Sequence, residues 1–325
     1  MITMNSETTK LDSPQLCIVV PCYNEAAVMP VSAKTLGELL VKMMEHGEVK
    51  DTSYICFVND GSSDATWECI MHLMNKSTIF RGINLSRNFG HQGALLAGLF
   101  TARAEAYVSI DADLQDDEQK IREMVQLYCK GYDIVYGCRD NRDTDTWFKR
   151  MTAEVFYKLR SKIGVNTISN HADFRLMSFR AVEALKKYGE VNLFIRGVIP
   201  MLGFPSAKVF YMRKARELGE SKYPLRKMVR LAWDGLVNFT DVPLIACLIA
   251  GILGCCISVL LIFWALYCWS AGNALPGWTS LLIVVCFSSS LQFVFMGIIG
   301  LYTGKVLLES KHRPVFIIQD DLSNR

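Results

Sequence analysis

The chain has 325 residues, 51% of them hydrophobic, and a net charge of +3. So small an excess of positive charge excludes a nucleic-acid partner held by a broad basic surface. Eleven cysteines, five of them in the apolar C-terminal third and none in a Cys-x-x-Cys pair, with five scattered histidines, argue against a disulfide scaffold and a zinc site.

Residues 1–15 lack the apolar centre of a signal peptide and are expected to form a tail. From Leu16 onward, short runs rich in β-branched residues alternate with helical stretches. Strands are predicted at 16–21, 54–60, 81–86, 106–111 and 132–137. Their lack of polar alternation suits a parallel sheet buried on both faces. Helices are predicted between them, at 26–45, 64–74, 91–104 and 118–129. This alternation predicts a doubly wound α/β domain over 16–223, whose ligands gather at the carboxyl ends of the strands.

The loops that follow the first four strands are CYNEA, NDGSSDAT, SRNFGHQGA and DADLQDDEQ. Asn24, Glu25, Asp60, Arg87, His91, Asp111 and Asp113 are therefore expected on one rim. Within it, Gly90 and Gly93 are expected to turn the backbone and His91 to pack or cap. No G-x-G-x-x-G follows the first strand, which counts against a dinucleotide-binding dehydrogenase.

Residues 142–164 mix aromatic and basic side chains at helical spacing. Residues 224–241 form an amphipathic pattern, with Leu225, Met228, Val229, Ala232, Leu236 and Phe239 on one face and Arg226, Lys227 and Arg230 beside it. A helix lying at a membrane surface is predicted there, an ordinary helix packed on the domain being the alternative. Between Asp241 and Lys305 no charged side chain occurs, and the stretch divides at SAGNALPG. The two runs, 242–269 and 278–304, each exceed the ~20 residues needed to cross a ~30 Å hydrocarbon core. Basic residues flank the pair and are missing from the loop between its members. That asymmetry predicts a cytoplasmic domain, both termini cytoplasmic, and a cytoplasmic C-terminal segment over 305–325.

SIDADLQDDEQ, behind the fourth predicted strand, holds five carboxylates. If the chain turns there, Asp111 and Asp113 could meet on one Mg²⁺ or Mn²⁺, with Gln115 adding an amide oxygen. Such an ion would neutralise charge on a departing diphosphate. A lone D-x-D has little specificity, because acids also favour a solvated first helical turn, the role expected of Asp116, Asp117 and Glu118.

Taken in order, VVPCYNEA, VNDGSSDAT, NLSRNFGHQGALLAG, DADLQDD, HADFRLMS and RELGESKYPLRKM resemble the family-2 inverting glycosyltransferases. They are most similar to the polyprenyl-phosphate group, which includes bactoprenol glucosyltransferases and dolichol-phosphate mannose synthases. The likeness covers most of residues 16–311. It implies a GT-A nucleotide-sugar-binding (Rossmann-like) domain and a two-helix transmembrane region in the bacterial inner membrane, assembled as a homo-oligomer.

By this resemblance Pro21, Tyr23, Asn24, Glu25 and Asp60 hold the nucleoside, while Asp111, Asp113 and Gln115 hold the metal and diphosphate. Arg213, Arg216, Ser221 and Lys222 close over the donor. Arg139, Arg142 and Arg150 are candidates for the lipid phosphate. Asp113 and Asp173 are the catalytic candidates, Asp173 occupying the place usually given to a base. Its acceptor is a phosphate already ionised, so orienting the sugar or the acceptor is the other role open to it. The chain departs from its relatives at Asn59, where an Asp is usual, and at Asp117, where a Pro is usual.

The implied reaction moves a hexose, glucose from UDP-glucose before others, to undecaprenyl or another polyprenyl phosphate for O-antigen or lipopolysaccharide modification. N-acetylglucosamine, galactose, mannose and an aminoarabinose derivative stay open. A lipid-sugar transporter or flippase is the alternative of a different class, against which stands the lack of ionisable residues inside the spans.

Overall fold

The computed structural model describes residues 13–139, 171–190, 195–212 and 277–323, with isolated positions between 247 and 267. The chain divides into two compact units, residues 1–219 with 314–325, and residues 220–313.

The first unit is built on one sheet. In chain order it runs β1 (Leu16–Cys22), α1 (Met29–Glu45), β2 (Tyr54–Asn59), α2 (Thr66–Lys76), β3 (Phe80–Leu85), α3 (His91–Thr101), β4 (Ala106–Ser109) and α4 (Lys120–Cys129). It continues through β5 (Ile134–Arg139), β6 (His171–Ser178), α5 (Phe179–Lys186), α6 (Ile195–Met201) and β7 (Ser206–Tyr211). After the helix of the second unit, α7 (Trp278–Ser310), the chain returns with β8 (Ile318–Leu322).

The eight strands lie in the order β7-β5-β6-β4-β1-β2-β3-β8. The sheet is mixed: the five strands expected from the sequence, β1 to β5, all run the same way, and the strands added to them do not all follow. β1, β2, β3 and β4 pair in parallel, as do β5 and β7, but β6 runs antiparallel to both β4 and β5, and β8 antiparallel to β3. A run buried on both faces looks the same in either direction, so its composition carries no record of which way it points.

Alternation along β1 divides the core. Leu16, Ile18 and Val20 face α1, α2 and α4, in a cluster that includes Met29, Leu36, Leu40, Ile70 and Ile121. Cys17 and Val19 face α3, α5 and α6 across Ala94, Leu95, Val182 and Val198. Both sets are fully buried, as a strand with helices on each side requires. The buried cysteines behave as packing residues, and burial pushes the Cys22 thiol far above its ordinary range.

Helix α3 lies unusually close to the sheet. A Cβ on Gly98 would fall 2.3 Å from Val19 Cγ1 and 2.9 Å from Val58 Cγ2. Gly98→Ala is therefore expected to destabilise the unit by about 1–3 kcal/mol, the usual range for overpacking a tight core. Thermal unfolding checks it, and an unchanged midpoint would refute the close approach.

Within the segment 305–325 the chain forms β8. It pairs Gly82 with Leu322, Ile83 with Asp321 and Asn84 with Asp320, covering the outer edge of β3. Arg81 stacks on Tyr54 at 3.6 Å and donates from Nη1 to the Ser323 carbonyl at 2.8 Å. With two adjacent acids, Asp320 and Asp321, and apolar residues only at its ends, IQDDL carries no strand alternation of its own; the ladder with β3 makes the strand.

In the second unit α7 continues six residues past the predicted end of the span at 304. Its segment Phe287–Ser310 has the length and composition to cross a membrane, the one such helix among the described residues. Phe287, Val294, Met296 and Val306 are each more than half exposed. Ser288 and Thr303 return their hydroxyl protons to the carbonyls of Val285 and Ile299, so neither needs water. The predicted interfacial helix at 224–241 and the helical pattern at 142–164 lie outside the described residues, as does the span at 242–269 apart from isolated positions.

Candidate active site

The loops after β1 and β2 are stitched together. Asn24 turns the chain with a φ of 55°, a left-handed conformation that asparagine tolerates. Its N–H donates to Ser62 Oγ at 3.0 Å, while Ser63 N–H donates to Asn24 Oδ1 at 2.9 Å. Glu25 N–H donates to Thr66 Oγ1 at 3.0 Å, and Ala26 N–H to Asp64 Oδ2 at 3.2 Å. Gly61 admits the third loop: its φ is 60°, and a Cβ there would meet the Arg87 carbonyl carbon at 2.4 Å.

This arrangement separates the predicted nucleoside residues. Tyr23 and Asn24 are exposed on the rim and Glu25 is half-buried, whereas Pro21 is buried in β1, opposite Val58. Asp60 is 2% exposed, and its Oδ1 accepts the Phe89 N–H at 2.7 Å. Burial raises the Asp60 carboxyl, against the amides of Phe89 and Gly90 that lower it. Asp60 thus ties the second loop to the third.

Past β4 the chain does turn. Leu114 has a φ of 49°, and its N–H donates to the Asp111 carbonyl at 3.3 Å. Asp111 keeps 41% of its side chain exposed, and Asp113 is half-buried, accepting Gln115 N–H at 3.2 Å. Gln115 is buried. Partial burial pushes the Asp111 carboxyl up; His91 opposes this, while Asp116, Asp173 and Asp113 reinforce it.

The acidic tail of this loop is not the solvated turn expected. Asp116 is 1% exposed, and its Oδ1 accepts from Tyr211 Oη at 2.6 Å and Arg139 Nη2 at 3.1 Å. Glu118 is buried as well. Asp117 alone keeps the expected role, accepting Gln119 N–H at 3.1 Å just before α4. The reason is tertiary: β5 and β7 bring Arg139 and Tyr211 to Asp116, and these partners lie 23 and 95 residues away.

Asp173 lies within β6. β6 pairs with β4, setting Arg175 opposite Ser109, and the Ser109 hydroxyl donates to the Asp173 carbonyl. Arg175 Nη2 donates to Asp173 Oδ1 at 2.6 Å, and Arg196 forks onto both oxygens, Nε to Oδ1 at 3.1 Å and Nη2 to Oδ2 at 2.8 Å. His91 Nε2 stands 3.5 Å from Asp173 Oδ2 and 3.6 Å from Asp111 Oδ1. Burial alone would raise the Asp173 carboxyl, but His91, Arg196 and Arg175 outweigh it and hold the group far below the usual carboxylate range. A carboxylate so held is a poor proton acceptor. His91 is raised, first by its contact with Asp173, and Asp111 adds to this while burial opposes it.

Arg196 is the site residue that the sequence does not mark, and His91, expected on the rim only to pack or cap, contacts both Asp173 and Asp111. Arg196, in LFIRGVIP, carries no local signal; His91 had one, its place in a rim loop at the start of α3. Arg139 stands at the end of β5, engaged with Asp116. Arg142, Arg150, Arg213, Arg216, Ser221 and Lys222 lie outside the described residues.

Among the described residues no three His, Cys, Asp or Glu side chains form a closed cation cage. Asp111 and Asp113 instead offer two accessible carboxylates on one tight turn. Mg²⁺ is commonly held in this way, by one or two carboxylates with water and substrate phosphates completing the shell. The donor set therefore fits an ion that binds together with a diphosphate.

The family model described as Glycosyl transferase family 2 matches residues 17–186. The chain is 44% identical over 317 residues to the uncharacterized glycosyltransferase YkoT of Bacillus subtilis strain 168, covering 97% of this chain and 94% of that protein. It is 37% identical over 309 residues to the bactoprenol glucosyl transferase of Shigella phage SfV, covering 94% and 99%. Among solved structures it is similar to the mannosyltransferase PcManGT from Pyrobaculum calidifontis in complex with GDP-Man and Mn²⁺, at 17% identity and a TM-score of 0.44, covering 92% of this chain and 86% of that one. A match over half the chain, and relatives above a third identical along nearly all of it, lead to one conclusion: the chain belongs to glycosyl transferase family 2, and is a glycosyltransferase with the mixed α/β sheet of the GT-A fold.

Proposed function

We propose that the enzyme moves a hexose, glucose from UDP-glucose before others, to undecaprenyl or a related polyprenyl phosphate at the cytoplasmic face of the bacterial inner membrane. The observation that carries this reading is the pair of accessible carboxylates, Asp111 and Asp113, on the rim that also presents Tyr23 and Asn24. Relatives named bactoprenol glucosyl transferase support the acceptor class.

On this reading Tyr23, Asn24 and Glu25 hold the nucleoside, with Pro21 and Asp60 bracing them from beneath. Asp111 and Asp113 hold Mg²⁺ or Mn²⁺, with Gln115 of the same turn as the third candidate ligand. Such an ion, when bound, offsets the charge that develops on the departing diphosphate. A lipid phosphate oxygen attacks the anomeric carbon from the face opposite the nucleotide, and the bond to UDP breaks with its electron pair leaving on the diphosphate. That oxygen is ionised at neutral pH and needs no base. Asp173, ionised and clamped by Arg175 and Arg196, accordingly orients substrate groups and takes no proton. Arg139, with Arg142 and Arg150, is assigned to the lipid phosphate, and Arg213, Arg216, Ser221 and Lys222 to closure over the donor.

Chain connectivity supports the two-span arrangement. β8 pairs with β3, so the chain re-enters the catalytic sheet after the apolar helix. One sheet cannot occupy both sides of a bilayer, so the number of crossings before its return is even. Spans at 242–269 and 278–304 meet that condition and keep the rim near an acceptor confined to the bilayer, raising its effective concentration. Self-association through the spans, and supply of the lipid-linked sugar to O-antigen or other surface polysaccharide, belong to the same proposal.

The test incubates the purified full-length protein with undecaprenyl phosphate and Mn²⁺, offering UDP-glucose, UDP-N-acetylglucosamine, UDP-galactose or GDP-mannose. A glucose-bearing lipid phosphate is the expected product. Formation of a different lipid-linked sugar revises the donor, and no product from any donor with folded protein sinks the reading.

A further inference from the structure

We propose that the C-terminal strand β8 positions the nucleotide-binding rim through a chain of hydrogen bonds running from Asp320 to Asn24. The inference rests on the reading that Asn24 faces the donor nucleoside, and it adds residues that act from a distance.

The chain crosses three neighbouring strands. Asn59 stands opposite Asn84 in the parallel pairing of β2 with β3, and Asn84 stands opposite Asp320 in the antiparallel pairing of β3 with β8. Side chains at such positions are direct neighbours. Asn84 Nδ2 donates to Asp320 Oδ2 at 2.9 Å, and Asn59 Nδ2 donates to Asn84 Oδ1 at 2.8 Å. Ser62 N–H donates to Asn59 Oδ1 at 3.3 Å, and Asn24 N–H donates to Ser62 Oγ at 3.0 Å.

Its direction follows from its ends. The Asp320 carboxylate only accepts, and the backbone N–H of Ser62 only donates. Asn84 must therefore turn its NH₂ toward Asp320, which leaves its oxygen for Asn59, and Asn59 must give its NH₂ to Asn84 and its oxygen to Ser62. An amide is required at position 59 for as long as a carboxylate stands at 320. Asn59 and Asn84 are 3% and 8% exposed, so water does not readily replace a lost partner. Asp320 is exposed, which makes it the end that can be altered without opening the core.

The polarity supplies the test, made on full-length protein by titrating UDP in the presence of Mn²⁺ and by measuring KM and kcat with UDP-glucose. Asn59→Asp sets an acceptor against an acceptor, and is expected to weaken UDP and raise the donor KM about tenfold, with kcat little changed. Asp320→Asn alone keeps every bond and is expected to stay close to wild type. Joined to Asn59→Asp, it lets the chain run in reverse, the new amide at 320 donating to Asn84 and Asn84 donating to the new carboxylate at 59. The double variant is expected to regain most of the lost affinity, a rescue that general damage to the fold does not produce. If Asn59→Asp fails to fold, Asp320→Ala serves in its place, and is expected to weaken UDP in a protein that still unfolds in one cooperative transition, the exposed end of the chain being the one removed. Wild-type affinity in Asn59→Asp, or a double variant no better than the single one, overturns the proposal. A wild-type protein that binds neither UDP nor GDP removes the nucleotide reading itself, and this inference with it.

Discussion

Asp113→Asn is expected to cut sugar transfer by about 10²–10³-fold, the loss typical when one group that stabilises developing charge is removed. Its thermal midpoint should hold or rise. Asp111 and Asp113 share one tight turn, and the Asp111 carboxyl is already pushed up by burial and by the acids around it. Taking away one negative charge relieves that crowding, so a fall in rate with no fall in stability marks a group kept for chemistry. EDTA should stop wild-type transfer, and Mn²⁺ or Mg²⁺ restore it. Transfer that continues undiminished in EDTA would remove the metal from the proposal.

The second large effect concerns Asp173. Asp173→Ala is expected to destabilise the protein by about 3–5 kcal/mol, the cost of leaving one partner of a buried ion pair behind. The abandoned partner is Arg175, 1% exposed. Asp173→Leu combined with Arg175→Met removes both charges and is expected to recover much of that stability while transfer stays lost, since Arg196 and His91 no longer have their carboxylate. Thermal unfolding and transfer rates, measured on the same samples, separate the two roles. A stable Asp173→Ala would show that Arg175 does not depend on its neighbour.

The same cluster fixes a pH dependence. Folding lowers the Asp173 carboxyl, so its contribution to stability is fully present above the unfolded value of about 4 and is lost only as pH falls below it. Titration of Asp173 should therefore leave no limb in the transfer rate between about pH 5 and 8, as expected for a group that orients and does not accept a proton.

Much of the candidate rim was legible because it is local in sequence. Each of its first three loops follows a strand whose apolar run is plain, and β1, β2 and β3 fall within a residue or so of the predicted strands. What escaped depends on partners far apart. Asp116 looked like part of a solvated turn because nothing within a few residues could satisfy it; Tyr211 and Arg139 do so through strands β7 and β5. Asn59, a departure from the usual Asp, gains its meaning from Asn84 and Asp320, the latter near the end of the chain.

By itself the sequence determined the alternation of strands and helices, the carboxylate turn after β4, the charge-free C-terminal runs and the family. These depend on periodicity, on turn residues and on motifs a few residues long, all of which a linear chain records. Only the tertiary structure decided that β6 and β8 run antiparallel, that Asp173 is a clamped anion and that the last strand closes the sheet. Each of those depends on which distant groups meet, and a buried charge or amide takes its state from the partner that folding brings to it.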